Sequence, residues 1–179
     1  SRGFEGVRQV AAPDNWESTA KALSSDPNED VQRIAQELSV IFGDGHAIDQ
    51  IKALAADDKA SIEARQQAIH TLVEAREESV APLLLNLLNH RELGVAAVRG
   101  LAAVHHPDTG KILVERFNAL YPPTKFEAAN TLASRAEFAL LMVQGVADKK
   151  VDRQYISPFL LRQMQTLGND ELSRKVNET

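Results

Sequence analysis

The sequence predicts an all-α chain, an α-α superhelix in which about five helix pairs stack into a right-handed solenoid. Three observations predict it. From Asn15 onward apolar residues recur at three- and four-residue spacings and not in the alternation of strands. Pro, Gly and capping residues cut this pattern into short segments joined by polar turns. A small or branched apolar doublet recurs three and four residues before a Leu, at nearly constant intervals.

The elements follow in order along a single domain covering 1–179. Residues 1–13 read as a linker or tail, and Ser1 to Pro13 lack the cationic stretch and apolar core of a signal peptide. The first pair, 14–43, holds the only tryptophan, Trp16, as a packing residue. Its second helix is predicted to open with Asp26 as N-cap and Pro27 as first helical residue, and to end at Gly43. In the second pair, 44–75, Asp44-Gly45 forms a turn, and Ile48, Ile51 and Leu54 line a short helix. Ser61 with Ala64 and Arg65 then opens a helix carrying Ala68, Ile69 and Leu72. The third pair, 76–105, has an apolar segment from Val80 to Asn89 before its Leu-bearing helix. The fourth, 106–135, starts at Pro107-Asp108, runs from Thr109 to Leu120, and restarts at Pro122-Pro123. The fifth, 136–168, pairs Ala136–Ala147 with a helix over Pro158–Leu167, across a longer connection from Asp152 to Ser157. It carries Gln163-Met164 before Leu167 in place of a small doublet. After Gly168-Asn169-Asp170, residues 169–179 supply a capping helix with Leu172 and Val176 on one face.

The doublets carry the repeat. Ile34-Ala35 precedes Leu38, Ala68-Ile69 precedes Leu72, Ala97-Val98 precedes Leu101, and Ala128-Ala129 precedes Leu132, with steps of 34, 29 and 31 residues. Residues three and four before the Leu share its helical stripe. Small side chains there let two helices approach to about 8 Å. Each pair alone leaves an apolar face uncovered, which a stacked neighbour buries. Lys21-Ala22-Leu23 also recurs as Lys52-Ala53-Leu54. A period near 31 with short polar turns is the HEAT-like pattern; the anchors of TPR repeats and the Thr-Pro-Leu-His of ankyrin repeats do not occur.

Composition narrows the function classes. The chain has 179 residues, 44% of them hydrophobic and 25% charged, which suits a folded domain. Twenty basic against 25 acidic residues give a net charge of −5, spread along the chain, which disfavours a nucleic-acid backbone as partner. No uncharged apolar run approaches 18 residues, so no direct membrane insertion is expected. With no Cys, disulfides, thiolate zinc sites and covalent c-type haem are excluded within these residues.

Candidate chemical groups each have a plainer reading. His105-His106 with Asp108 have the chemistry of metal ligands, but neighbours in one loop rarely converge and no third ligand is near in sequence. His46 falls in the first turn of a helix, His70 sits beside the buried stripe, and His90 lies at a helix end, where a partial positive charge suits the dipole. The paired acids Asp57-Asp58 and Glu77-Glu78 fall in turns and do not make an acid/base pair. Phe117, Tyr121 and Phe126 read as local core. No nucleophile elbow, phosphate loop, dinucleotide fingerprint or His-Glu-x-x-His occurs. No catalytic, cofactor-binding or metal residue is therefore assigned, and no cofactor is expected.

Several runs resemble a known group. They are Lys111–Phe117, Asn130–Arg135, Ala139–Leu141, Ile156–Phe159, Leu161–Gln163 and Leu167–Asp170. Together they resemble the HEAT-like segment of large bacterial membrane-bound dehydrogenase proteins (sorbosone/glucose dehydrogenase-like), where it lies between a β-propeller and a C-terminal haem c domain. The resemblance covers Val80 to Glu178, and its most specific parts are Thr131-Leu132-Ala133-Ser134-Arg135 and Phe159 with Arg162-Gln163. It implies an exported, periplasmic or otherwise extracytoplasmic, redox-linked parent in which this piece is a helical connector. It carries no functional residue into this chain.

The expected function is that of a non-catalytic scaffold or protein-interaction module, its partner an adjacent domain or another protein. The alternative is a superhelical enzyme, such as a bilin lyase or a DNA-base glycosylase. Low aromatic content and net negative charge speak against the pockets those activities need.

Overall fold

The computed structural model describes residues 11–104 and 106–178. Among them are eleven α-helices, three 3-10 turns and no strand. None of these helices is long and apolar enough to cross a membrane. The chain divides after Val80 into two compact units.

The first unit holds α1 (Trp16–Leu23), α2 (Glu29–Ile41), α3 (Gly45–Ala56), α4 (Ile62–Glu74) and a 3-10 turn at Glu78–Val80. Three of its helices start on side-chain caps. Asn28 accepts from Asp30 N–H, Asp44 from His46 and Ala47 N–H, and Ser61 from Ala64 N–H, each relieving an amide that the first turn leaves unpaired. The expected start of α2 at Asp26-Pro27 is displaced. Asp26 spends its carboxylate on the Asn28 N–H at 2.9 Å, a local turn, and Asn28 becomes the cap. Gly43, at φ 76°, supplies the left-handed residue that turns the chain out of α2.

α1 packs on α2, α2 on α3, and α3 most extensively on α4. The core comes from Ile48, Ile51 and Ala55 of α3 and Ala68, Ile69 and Leu72 of α4, all buried. α4 also reaches back to α2, where Gln67 Nε2 donates to Glu37 Oε1 at 3.1 Å.

The second unit holds α5 (Ala81–Leu87), α6 (Gly94–Ala103), α7 (Thr109–Arg116) with a 3-10 turn at Phe117–Ala119, α8 (Pro122–Leu132), α9 (Ala136–Ala147), a 3-10 turn at Arg153–Tyr155, α10 (Pro158–Gln165) and α11 (Asp170–Glu178). Next-but-one helices pack closely here. A Cβ on Gly94 of α6 would lie 2.5 Å from Thr124 Oγ1 of α8, while Arg99, later in α6, pairs with Glu127, later in α8, at 2.9 Å. A Cβ on Gly110 of α7 would lie 2.6 Å from Phe138 of α9, and one on Gly145 would lie 2.7 Å from Val114. Start therefore faces start and end faces end, so α6 runs parallel to α8 and α7 to α9. The glycines are what allow that approach. α11 closes on α9 and α10 with Leu172 and Val176 buried.

The Leu-aligned stripe is buried in three of its four occurrences: Ala68-Ile69-Leu72, Ala97-Val98-Leu101 and Ala128-Ala129-Leu132. In α2 it is turned away. Ile34 is 48% exposed, Leu38 is half-buried, and the buried positions are Ala35, Ser39 and Val40. The reason is the neighbour on that side. α1 is only eight residues long and presents Trp16, which claims Ser39 by a hydrogen bond at 3.0 Å.

Candidate functional site

Three helix faces of the first unit enclose a half-open cleft of about 850 Å³. α1 contributes Trp16, Glu17, Ala20 and Lys21, with Ser24 just past its end, α2 contributes Gln32, Ala35, Gln36 and Ser39, and α3 contributes His46, Ala47 and Gln50. Within each helix these positions recur at three to four residues, which marks single faces turned inward. Small side chains, Ala20, Ala35 and Ala47, are among its lining residues.

Its wall is aromatic and its rim polar. Trp16 and Phe42 meet edge to face with ring centres 4.8 Å apart, and the indole N–H donates to Ser39 Oγ. Along the rim runs an amide relay. Gln36 Nε2 donates to Gln50 Oε1 at 3.4 Å, and Gln50 Nε2 to His46 Nε2 at 3.0 Å. A neutral His46 that accepts at Nε2 carries its proton on Nδ1. Asp14, Glu17 and Asp44 bring carboxylates to the lining, against the single ammonium of Lys21. Asp44 is already engaged as the cap of α3.

Apart from His46, the histidines and paired acids singled out in the sequence are not among the residues that line this cleft. His46 is in the first turn of α3, as expected, and exposed, while His70 is exposed on α4. His90 follows the end of α5, where its N–H bonds the Leu87 carbonyl, and its Nδ1 lies 3.3 Å from the N–H groups of Glu92 and Leu93 and 3.4 Å from Glu92 Oε2. His105 lies outside the described residues. His106 keeps a buried Nδ1 with no partner among the described residues. No group of three or more His, Cys, Asp or Glu among the described residues converges to hold a metal.

At least one acid of each pair has a structural partner. Asp58 pairs with Arg65, and Glu77 accepts from the Ser79 hydroxyl, which in turn receives Lys52 of α3. The Ser79 hydroxyl bond, helped by its N–H and by Lys52, holds the Glu77 carboxyl below the usual glutamate value.

The expected aromatic core is corrected. Phe117 is buried, but Tyr121 is 43% and Phe126 58% exposed. Sequence reading missed Tyr155, which meets Phe117 at 5.5 Å and Phe126 at 4.9 Å, with Lys125 5.6 Å from its ring centre. Tyr155 lies 29 residues beyond Phe126, and no local spacing joins them.

Comparison of the chain with family models, with curated proteins and with solved structures finds no match.

Proposed function

We propose that the chain is a non-catalytic, HEAT-like solenoid that binds protein, serving as a connector or interaction module in a larger assembly. The observation that carries the reading is a polar tie repeated at nearly the same place between successive long helices. In α4 and in α8, the residue five before the aligned Leu (Gln67, Glu127) bonds to a residue one or two before the aligned Leu of the preceding long helix (Glu37, Arg99). A similar step recurs elsewhere. Arg116 donates to the Leu85 carbonyl and Asn118 to the Lys149 carbonyl, each 31 residues away. Bonds that keep the sequence period are what stacked copies of one helix pair produce. The parallel approach of α6 to α8 and of α7 to α9 supports the same geometry.

Two measurements test it. A compact 179-residue globule has a radius of gyration of about 16 Å. Small-angle scattering is expected to give a larger value with an elongated distance distribution, and a compact profile would remove the solenoid. For the function, the chain is used as bait in an extract of its source organism, beside a Gln36→Ala/Gln50→Ala variant. A protein held by the first and lost by the second supports the module reading; no retained protein counts against it.

The resemblance of Val80–Glu178 to the helical segment of haem c-bearing dehydrogenase-like proteins supports placing the connector in an exported redox protein. The native gene product decides that context. A mass far above 19.6 kDa with a Soret band is expected. A mass near 19.6 kDa without a chromophore would end it.

A further inference from the structure

Resting on the interaction-module reading, we propose that the α1–α2–α3 cleft receives a cationic, extended peptide segment of a protein partner. Shape, surface and charge point to it independently. The face of α1 that lines the cleft runs from Trp16 to Ser24, about 12 Å at 1.5 Å per residue. That length accommodates three to four residues of an extended chain at about 3.4 Å each. A half-open cleft suits a strand of peptide, whereas small-molecule sites enclose most of their ligand.

The surface fits the two parts of a Lys or Arg side chain. Trp16, Phe42 and the short alanines give an apolar wall for its aliphatic stem. The Asp14 and Glu17 carboxylates stand at the α1 edge for its charged head, and neither is drawn into an ion pair among the described residues. Gln36 and Gln50 present primary amides, each a donor and an acceptor, to the peptide backbone.

Charge selects the sign of the partner. Residues 1–80 carry fifteen acidic and eight basic side chains, whereas 81–179 carry ten acidic and twelve basic. The negative balance of the chain thus belongs to the part that holds the cleft, and such a field raises the encounter rate of a cationic segment.

Trp16 makes the test direct, because it is the only tryptophan and lies in the wall. The full chain is titrated with a capped hexapeptide of alternating Arg and Leu, and with its Glu/Leu counterpart. A saturable change in tryptophan emission is expected with the cationic peptide alone. Affinity is expected to fall at least about tenfold from low salt to 0.5 M, as screening shortens the reach of the carboxylates. An Asp14→Lys/Glu17→Lys variant that melts like the parent is expected to lose at least about tenfold in affinity. No saturable change, or an equal response to the acidic peptide, would overturn the proposal. So would a Trp16 emission that shifts with protein concentration alone, since the occupant is then a second copy. If the peptide fails while a captured protein still depends on Gln36 and Gln50, the partner class is wrong and the module reading stands. If nothing is captured either, both fall.

Discussion

Arg65, 3% exposed, donates from Nε to the Ala55 carbonyl oxygen at 3.0 Å. Ala55 lies in the last turn of α3, where carbonyls have no helical donor. The guanidinium supplies one, and its NH1 reaches Asp58 at 2.8 Å. One planar group thus ties the end of α3 to the start of α4. Arg65→Ala is expected to cost about 2–3 kcal/mol, because a buried carbonyl loses a charged donor. Arg65→Lys should recover little of it, since a single ammonium does not reproduce the two-nitrogen geometry. Asp58→Asn, at a side chain 88% exposed, is expected to cost under about 1 kcal/mol. Urea unfolding of the three variants checks the order, and equal losses would refute it.

The glycines separate into two kinds. At Gly110 and Gly145 an added Cβ meets Phe138 at 2.6 Å, or Val114 at 2.7 Å and Val151 at 2.9 Å. Alanine gains about 1 kcal/mol in helix propensity, but overpacking costs about 1–3 kcal/mol. Gly110→Ala and Gly145→Ala are therefore expected to lower the melting temperature. At Gly45, the first residue of α3, nothing lies within 4 Å, and Gly45→Ala is expected to raise it. Thermal melts of the three variants should show opposite signs.

These contacts mark where the sequence is legible and where it is not. Local rules fix helix existence. Ala136–Ala147 falls where its pattern places it, and Ser61 caps α4 as its spacing to Ala64 requires. Three doublets lie on the buried stripe because each faces another helix along its length. The fourth rotates because α1 is short and Trp16 bonds Ser39, a tertiary fact without a local signal. The cleft was invisible for the same reason. Its lining comes from three separate helices, and no local spacing in the sequence brings Trp16, Gln36 and Gln50 together. Periodicity alone does not say whether a small residue admits a neighbour or leaves a gap.

Glu77 sets one part of the acid response. Its carboxylate is held by the Ser79 hydroxyl and N–H, with Lys52 behind them, and its folded pKa is depressed. A depressed carboxylate stabilises the folded state above the unfolded glutamate value, and that stabilisation is lost as pH falls through the folded value. Glu77→Gln and Ser79→Ala are each expected to flatten the stability decline below about pH 4.5. Near neutral pH each is expected to lower stability slightly, by under about 1 kcal/mol for a partly exposed group. Denaturation midpoints from pH 7 to pH 3 check this, and a variant curve parallel to the parent would count against the tie.

Leu72, Leu101 and Leu132 are fully buried, whereas Leu38 is half-buried on the rotated face of α2. Truncation to Ala should cost about 2–5 kcal/mol at each of the first three, through lost transfer energy and the cavity left behind. Leu38 is only partly withdrawn from water, so a smaller loss, about 1–2 kcal/mol, is expected. The repeat adds a second expectation. Leu101 of α6 and Leu132 of α8 lie on helices that pack directly, so the double variant should depart from the sum of the singles by at least about 0.5 kcal/mol. Chemical denaturation of the four singles and this double measures both. A Leu38 loss as large as the others would return α2 to the common stripe. Strict additivity of Leu101 and Leu132 would mean that they sit in independently packed layers.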